Sequence, residues 1–330
     1  MSRAIISVLA VVALVGAAQA GNTPDITGFA DASYFHDLNA GQGEFGLDQV
    51  EVDIVHQASA ATMVRADLEW VKDGEDFVAQ VEQAFMSYTC PGGYTLTFGK
   101  FNAPIGFELL DAPDMYQFSH ALVFDHGLPT NLTGFMVGRD LSDVLDLVLY
   151  GANGWDANTA SGKNLTWGGR LGFAPGQGLA GGLSAISGKE EGPMENLFTR
   201  TVFDVDLGYE SGPWVFGGEF NTGKVTLPDD SELSWTGFLI MSHYTMNDWA
   251  GLTVRFDHFD DADGYAFGMV GDQYQTRQAL TIAPTFTLDD GFGALVELRM
   301  DMSDQEAFLD SDGLATDSQT TLAFEMTYSW

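Results

Sequence analysis

Arginines and carboxylates recur at every second position in several segments, a spacing that puts both kinds of charge on one face of a β-strand. Arg65 shares its parity with Asp67 and Glu69, and Arg299 shares its parity with Glu297 and Asp301. Arg170, Arg255 and Arg277 fall on the equivalent positions of their own segments. Opposed charges of this kind, set around water, make a transverse field that sorts solutes by size and dipole. A second acidic group, Glu108, Asp111, Asp114 and Asp125, lies within 102–130 among the apolar Phe107, Leu109, Met115, Phe118 and Phe124.

Other chemistries are less well supplied. Phe124-Asp125-His126 and Phe256-Asp257-His258 pair an acid with an imidazole, as a hydrolase needs. In a strand, however, Asp257 and His258 face opposite sides. Asp125 and His126 lie in a loop and could pair, but an isolated Asp-His is more often a local hydrogen bond, so no enzyme is expected. Asp260-Asp261-Ala262-Asp263-Gly264 and Asp310-Ser311-Asp312-Gly313 are partial calcium-loop patterns without the full twelve-residue spacing. They leave Ca2+ at acidic outer loops as the one possible cofactor. Trp155, Trp167, Tyr150 and Phe107 would form a sugar-stacking slide if they lined one mouth. A phosphate ladder would need more lysine than the chain has.

Charge narrows the partners. The chain carries 47 Asp and Glu against 13 Lys and Arg, a formal charge of −34. Nucleic acid is excluded as a partner, because counterion release needs clustered basic residues. One cysteine, Cys90, rules out an internal disulfide framework and CxxC metal knuckles.

The elements that must position these residues follow from hydropathy. Arg3, the apolar run 4–16 and Ala18-Gln19-Ala20 read as a cleaved export signal over 1–20, leaving a single domain over 21–330. Beyond residue 20 no apolar stretch is long enough for a membrane helix. Alternation dominates instead: Val50, Val52 and Ile54 interleave with Glu51 and Asp53, and Leu322, Phe324, Met326 and Tyr328 with Glu325 and Thr327. Sixteen such segments are predicted, joined alternately by tight turns and by longer connections such as 37–46, 102–130, 224–232 and 302–318.

An even count with two-sided loop asymmetry predicts an all-β, transmembrane, up-and-down barrel with short periplasmic turns and longer outer loops. On that parity Arg65, Arg170, Arg255, Arg277, Arg299, Glu69 and Glu297 line the lumen, and Trp167, Phe203 and Val254 face lipid. A lipid-face Val254→Arg should then fail where an inward Thr253→Arg is tolerated. Trp330 should sit in the last strand with its ring at the interface. Sixteen strands leave an aqueous lumen unless something fills it. The 102–130 connection, the longest and the third on the outer side, is too apolar to sit wholly in water and is expected to fold inward as a constriction.

Residues flanking this loop resemble a known family. Phe98-Gly99-Lys100-Phe101-Asn102-Ala103-Pro104-Ile105-Gly106-Phe107-Glu108 is similar to the GKF-x-x-P-x-G-x-E stretch of the OmpL-like β-barrel porins. Leu149-Tyr150-Gly151-Ala152-Asn153-Gly154-Trp155-Asp156 resembles their strand ending in Asn-Gly-Trp. Leu132-Thr133-Gly134 stands where a His-Thr-Gly-like step is expected. The likeness is close over 94–156 and holds elsewhere as pattern. It implies a porin-type barrel without naming a solute.

The sequence thus predicts an outer-membrane pore for small hydrophilic solutes and ions, weakly cation-preferring. By analogy with barrels of this size it is a homotrimer in lipid. The alternatives are a sugar-uptake pore, a surface adhesin or structural barrel, and a barrel hydrolase.

Overall fold

The computed structural model describes residues 23–74, 76–160, 164–191, 197–261, 263–267 and 274–330. The expected signal at 1–20, the start at Gly21 and Ala262 of the first acidic loop lie outside them.

The sixteen barrel strands are β1 (Asp25–Asp37), β2 (Gln42–Ser59), β3 (Thr62–Asp73), β4 (Asp76–Thr89), β5 (Tyr94–Asn102), β6 (Asn131–Ser142), β7 (Leu145–Ala152) and β8 (Thr166–Gly176). They continue as β9 (Leu179–Glu191), β10 (Leu197–Ser211), β11 (Trp214–Thr226), β12 (Glu232–Asn247), β13 (Ala250–Asp261), β14 (Gln275–Asp289), β15 (Phe292–Ser303) and β16 (Ser318–Ser329). Each pairs antiparallel with its sequence neighbours, and β16 closes on β1 with Phe324 opposite Tyr34. Closure leaves no strand edge, the condition that lipid imposes on backbone amides.

Alternation sets the faces as expected. Along β10, Val202, Asp204 and Asp206 are buried inside, whereas Phe203, Val205 and Leu207 are exposed on the outer surface. Rings gather at the short-turn rim: Trp214 packs at 4.5 Å on Tyr244, and Trp249 stacks at 6.1 Å on Phe286. Trp330 follows β16 directly, its N–H donating to Gly28 O (3.0 Å), and it stacks on Tyr328. These rings form the interfacial girdle of a membrane barrel.

Several connections are shorter than the spacing predicts. β1 and β2 turn over 38–41 rather than 37–46, and β11 and β12 over 227–231 rather than 224–232. The hairpins extend past the apolar band, where both faces meet water and hydrophobic alternation fades. The long outer connections described in full are 103–130 and 304–317, the latter with a small ribbon of Phe308–Leu309 and Ala315–Thr316.

Two register shifts matter inside. Ala32 pairs with Leu47 and Asp31 with Gln49, so Asp48 is an extra residue on β2. Leu68 pairs with Val81 and Asp67 with Gln83, so Glu82 is the extra residue on β4. A bulge re-aims the side chain it carries. Glu82 and Gln83 are consequently both buried.

Candidate functional site in the barrel lumen

The connection 103–130 folds into the lumen and crosses it. It contains a 3-10 turn, Ala112–Asp114, and a short helix, α1 (Leu122–Gly127). The turn approaches β1 and β16, while α1 lies against β11 to β14. Ile105, Leu122 and Leu128 join an apolar cluster with Tyr150, Ile186, Val202, Val225, Trp235 and Phe259 from the wall. These wall residues share the inward parity of the lumenal acids but lie nearer the long-loop end. On this side the lumen is therefore packed with side chains rather than lined by water. Gly217 on β11 admits the Phe107 ring, where any Cβ would overlap it.

Polar anchors complete the attachment. Arg255, fully buried, meets Glu108 at 2.7 Å and Asp257 at 3.2 Å. The same guanidinium donates to Ser119 O (2.5 Å) and His120 O (3.0 Å). Glu108 also accepts the Ala121 N–H (2.7 Å), and Asp257 accepts that of Leu122 (3.0 Å). Glu297 accepts the N–H groups of Phe118 and Ser119 (2.9 and 3.1 Å), and Arg299 donates to His120 O (2.7 Å). On β11, Glu219 accepts the Phe107 N–H (2.7 Å). Loop backbone groups that would otherwise be buried without partners are thus satisfied by wall charges.

The remaining candidates are dispersed. Arg170 forms a buried pair with Asp206. Arg277 lies over the rings of Phe267 and Phe308 (4.1 and 5.3 Å). Arg65, partly exposed, bridges Asp67 (2.8 Å) and Asp53 (3.3 Å). Glu69 is buried and accepts from Gln49 and Gln80 (2.7 and 2.8 Å). Asp114 and Asp125 are exposed, whereas Asp111 reaches the β2–β4 wall beside Glu51 and Glu82. Burial, then Glu82, Asp114 and Asp53, holds the Asp111 carboxyl well above the usual carboxylate range, with Arg65 opposing.

Several expectations change on this geometry. Glu108 and Arg255 do not oppose each other across water; they touch, and so fasten the loop. Thr253 is inward, as its parity requires, but it is fully buried, and its hydroxyl donates to Tyr116 O (2.8 Å). An arginine has no room there, so the expected tolerance of Thr253→Arg is withdrawn. The four aromatics of the sugar slide do not converge. Tyr150 is buried inside, Trp167 is on the lipid face against Phe135 (5.8 Å), Trp155 lies under Arg200 (4.2 Å), and Phe107 is on Gly217.

Of the two acid–imidazole pairs, Asp257 and His258 are apart: Asp257 is an inward anchor, and His258 is on the other face beside Phe238. His126 packs edge-on against Phe259 and Phe267, and burial lowers its pKa. In the acidic outer loops, Asp261 accepts the N–H groups of Tyr265, Ala266 and Phe267, and Asp310 accepts those of Asp312 and Leu314. These carboxylates serve as turn caps.

The anchoring roles of Asp257 and Glu219 and the apolar wall escaped the sequence reading. A signal was available: Tyr150, Val202, Trp235 and Phe259 share the parity of the lumenal acids. Below the loop, at the short-turn end, a cavity of about 400 Å³ is bounded by Pro113, Tyr116, Glu210, His243, Asp248 and Glu325.

A closed sixteen-stranded barrel with a lipid-facing apolar surface and a third loop drawn into its lumen is an outer-membrane barrel of the porin type. The chain belongs to the family described as "Putative beta-barrel porin-2, OmpL-like", which it matches over residues 16–330. Among solved structures it is similar to OmpT of Vibrio cholerae, at TM-score 0.71 and 12% identity over 95% of this chain and 99% of that one. OmpT is also known in a trimer form, matched at TM-score 0.67 and 11% identity over 93% and 99% of the two chains. The outer membrane channel DcaP of Acinetobacter baumannii matches at TM-score 0.70 and 13% identity, covering 95% and 99% of the two chains. An anion-selective porin from Comamonas acidovorans matches at TM-score 0.69 and 11% identity, covering 93% and 99%. No curated protein matches the chain.

Proposed function

We propose that the protein is a passive, homotrimeric outer-membrane pore for small hydrophilic solutes and ions, with a weak preference for cations. The observation that carries this reading is the acidic wall formed by β16 and β1 to β4. Asp31, Glu51, Glu69, Glu82 and Glu325 are buried on its inner face. Between residues 25 and 89 the basic residues are Arg65 and Lys72, and Lys72 is taken up by Glu44 (2.6 Å). A passage beside such a wall is held at negative potential, which concentrates cations and depletes anions.

The loop divides its carboxylates between two tasks. Glu108 holds it in place through Arg255 (2.7 Å), while the exposed Asp114 and Asp125, with Asp53 and Arg65 of the wall, are the charges a solute meets. The Comamonas porin is described as anion-selective on a similar barrel, so ion preference belongs to wall side chains and not to the architecture. The trimer form of OmpT supports the oligomeric state proposed here. No bond is made or broken in this reading, and the separation of Asp257 from His258 favours it over a hydrolase.

Planar-bilayer recording under a KCl gradient tests the proposal. An ohmic channel whose reversal potential has the sign of K+ preference is expected. A reversal of the opposite sign defeats the selectivity claim, and absence of any conductance defeats the pore.

A further inference from the structure

We propose that Glu51, Glu82 and Asp111 form a divalent-cation site that ties the inward loop to the barrel wall. Carboxylate oxygens of these three residues all lie within 4.8 Å of one another. They arrive from three separate elements: Glu51 from β2, Glu82 from the β4 bulge and Asp111 from the loop. Glu51 and Glu82 are 1% and 4% exposed. One oxygen of each of the three (Glu51 Oε1, Glu82 Oε1 and Asp111 Oδ1) is buried without a hydrogen-bond partner. Buried carboxylate oxygens are costly unless paired, so three that converge call for a positive partner.

Neighbouring acids show why the site falls here and not beside it. Glu51, Asp53 and Asp67 also lie within 4.8 Å of one another, but Arg65 already serves Asp53 and Asp67, and Gln83 donates to Asp67 (2.7 Å). Among the described residues no Lys, Arg or His makes an ion pair with Glu51, Glu82 or Asp111. The β4 bulge adds weight, because without its extra residue Glu82 and Gln83 would face opposite sides of the wall.

The donor set selects the ion. Three carboxylates with neither nitrogen nor sulfur suit a hard cation that takes oxygen ligands, Ca2+ or Mg2+, with water filling the other positions. Carboxylates bound at about 2.4 Å to one Ca2+ are separated by at most about 4.8 Å, which the cluster satisfies. A cation here joins the loop to β2 and β4, an attachment separate from the Arg255 and Arg299 anchors on β13 and β15. The proposal stands on this cluster alone and is independent of which solute passes.

The test uses the full-length barrel, purified in detergent free of lipopolysaccharide and stripped with chelator. Calorimetric titration with CaCl2, and separately with MgCl2, is run in physiological salt on the wild type, Glu82→Gln, Asp111→Asn and Asp310→Asn. Saturable binding of one ion per chain is expected for at least one of the two metals. Losing a single ligand should weaken it by at least the roughly 10–100-fold that loss of an outer-shell partner costs. Asp310→Asn, in an outer loop, should bind as the wild type does. Asp111→Asn lies off the barrel wall and keeps the test valid if Glu82→Gln fails to fold. Absence of saturable binding with both metals overturns the proposal. So does wild-type affinity in Asp111→Asn, which would place the ion elsewhere.

Discussion

Glu108 and Arg255, 147 residues apart along the chain, meet at 2.7 Å with side chains 2% and 0% exposed. Removing one member of a buried pair strands the other charge, at a cost of about 3–5 kcal/mol. That cost falls on loop docking, because the barrel itself is held by its hydrogen-bonded ladders. Arg255→Met is therefore expected to leave a folded barrel with larger and noisier single-channel conductance. The double variant Glu108→Gln/Arg255→Met should recover part of the wild-type trace. Wild-type conductance in Arg255→Met would mean that the loop is held without this pair.

Lipid-facing and lumenal positions should respond oppositely to the same charge. Val254 is exposed on the outer surface, and arginine near the bilayer midplane costs about 2–4 kcal/mol. Val254→Arg should lower the yield of folded barrel, read as the heat-modifiable band on a gel. Gln49 is half-buried inside and donates to Glu51 and Glu69 (3.3 and 2.7 Å). Gln49→Arg should fold and move the reversal potential toward zero by neutralising the acidic wall. Equal yields of the two variants would contradict the assigned faces.

Loop docking should weaken in acid through His126. Burial, then Arg277 and Arg299, holds its pKa below the ordinary 6.5, with Asp125 opposing. The folded state thus binds this proton less readily than the unfolded one. The resulting stability is fully present above 6.5 and is lost as pH falls from there through the lowered folded value. Hydrogen exchange of amides 121–128, corrected for intrinsic rates, should rise from about pH 7.5 to about pH 5. His126→Gln should flatten that dependence. An unchanged slope would assign it to another group.

Tyr150 and Gly168 make a paired test of the dry side of the lumen. Tyr150 is 1% exposed, its hydroxyl is buried without a partner, and a Cβ at Gly168 would overlap its ring. Overpacking of this kind costs roughly 1–3 kcal/mol, so Gly168→Ala should lower thermal stability. Tyr150→Phe removes an unsatisfied hydroxyl and should be neutral or stabilising. Marked destabilisation by Tyr150→Phe would show that the hydroxyl has a partner, such as a buried water.

Strand number, order and facing were legible because they rest on local chemistry. Phe203 and Asp204 had to part company wherever β10 lay, since one suits hydrocarbon and the other does not. The inward course of 102–130 was also legible, from the apolar residues spaced among its acids. Hairpin lengths were less so: Gln42-Gly43-Glu44 extends β2 where neither face is apolar, and alternation no longer marks a strand there.

What the sequence by itself determined is the period: a two-residue alternation over sixteen segments admits one closed wall, with apolar groups outside and charge within. Only the tertiary structure decided which lumenal charges meet. Parity places Arg255, Glu51 and Glu82 indoors, and the apolar residues around Glu108 bring its loop in, but neither says anything of height or of loop path. Height is set by strand stagger, by the bulges at Asp48 and Glu82, and by the docking of one loop across the barrel. These depend on the summed packing of distant strands, so no local spacing encodes them.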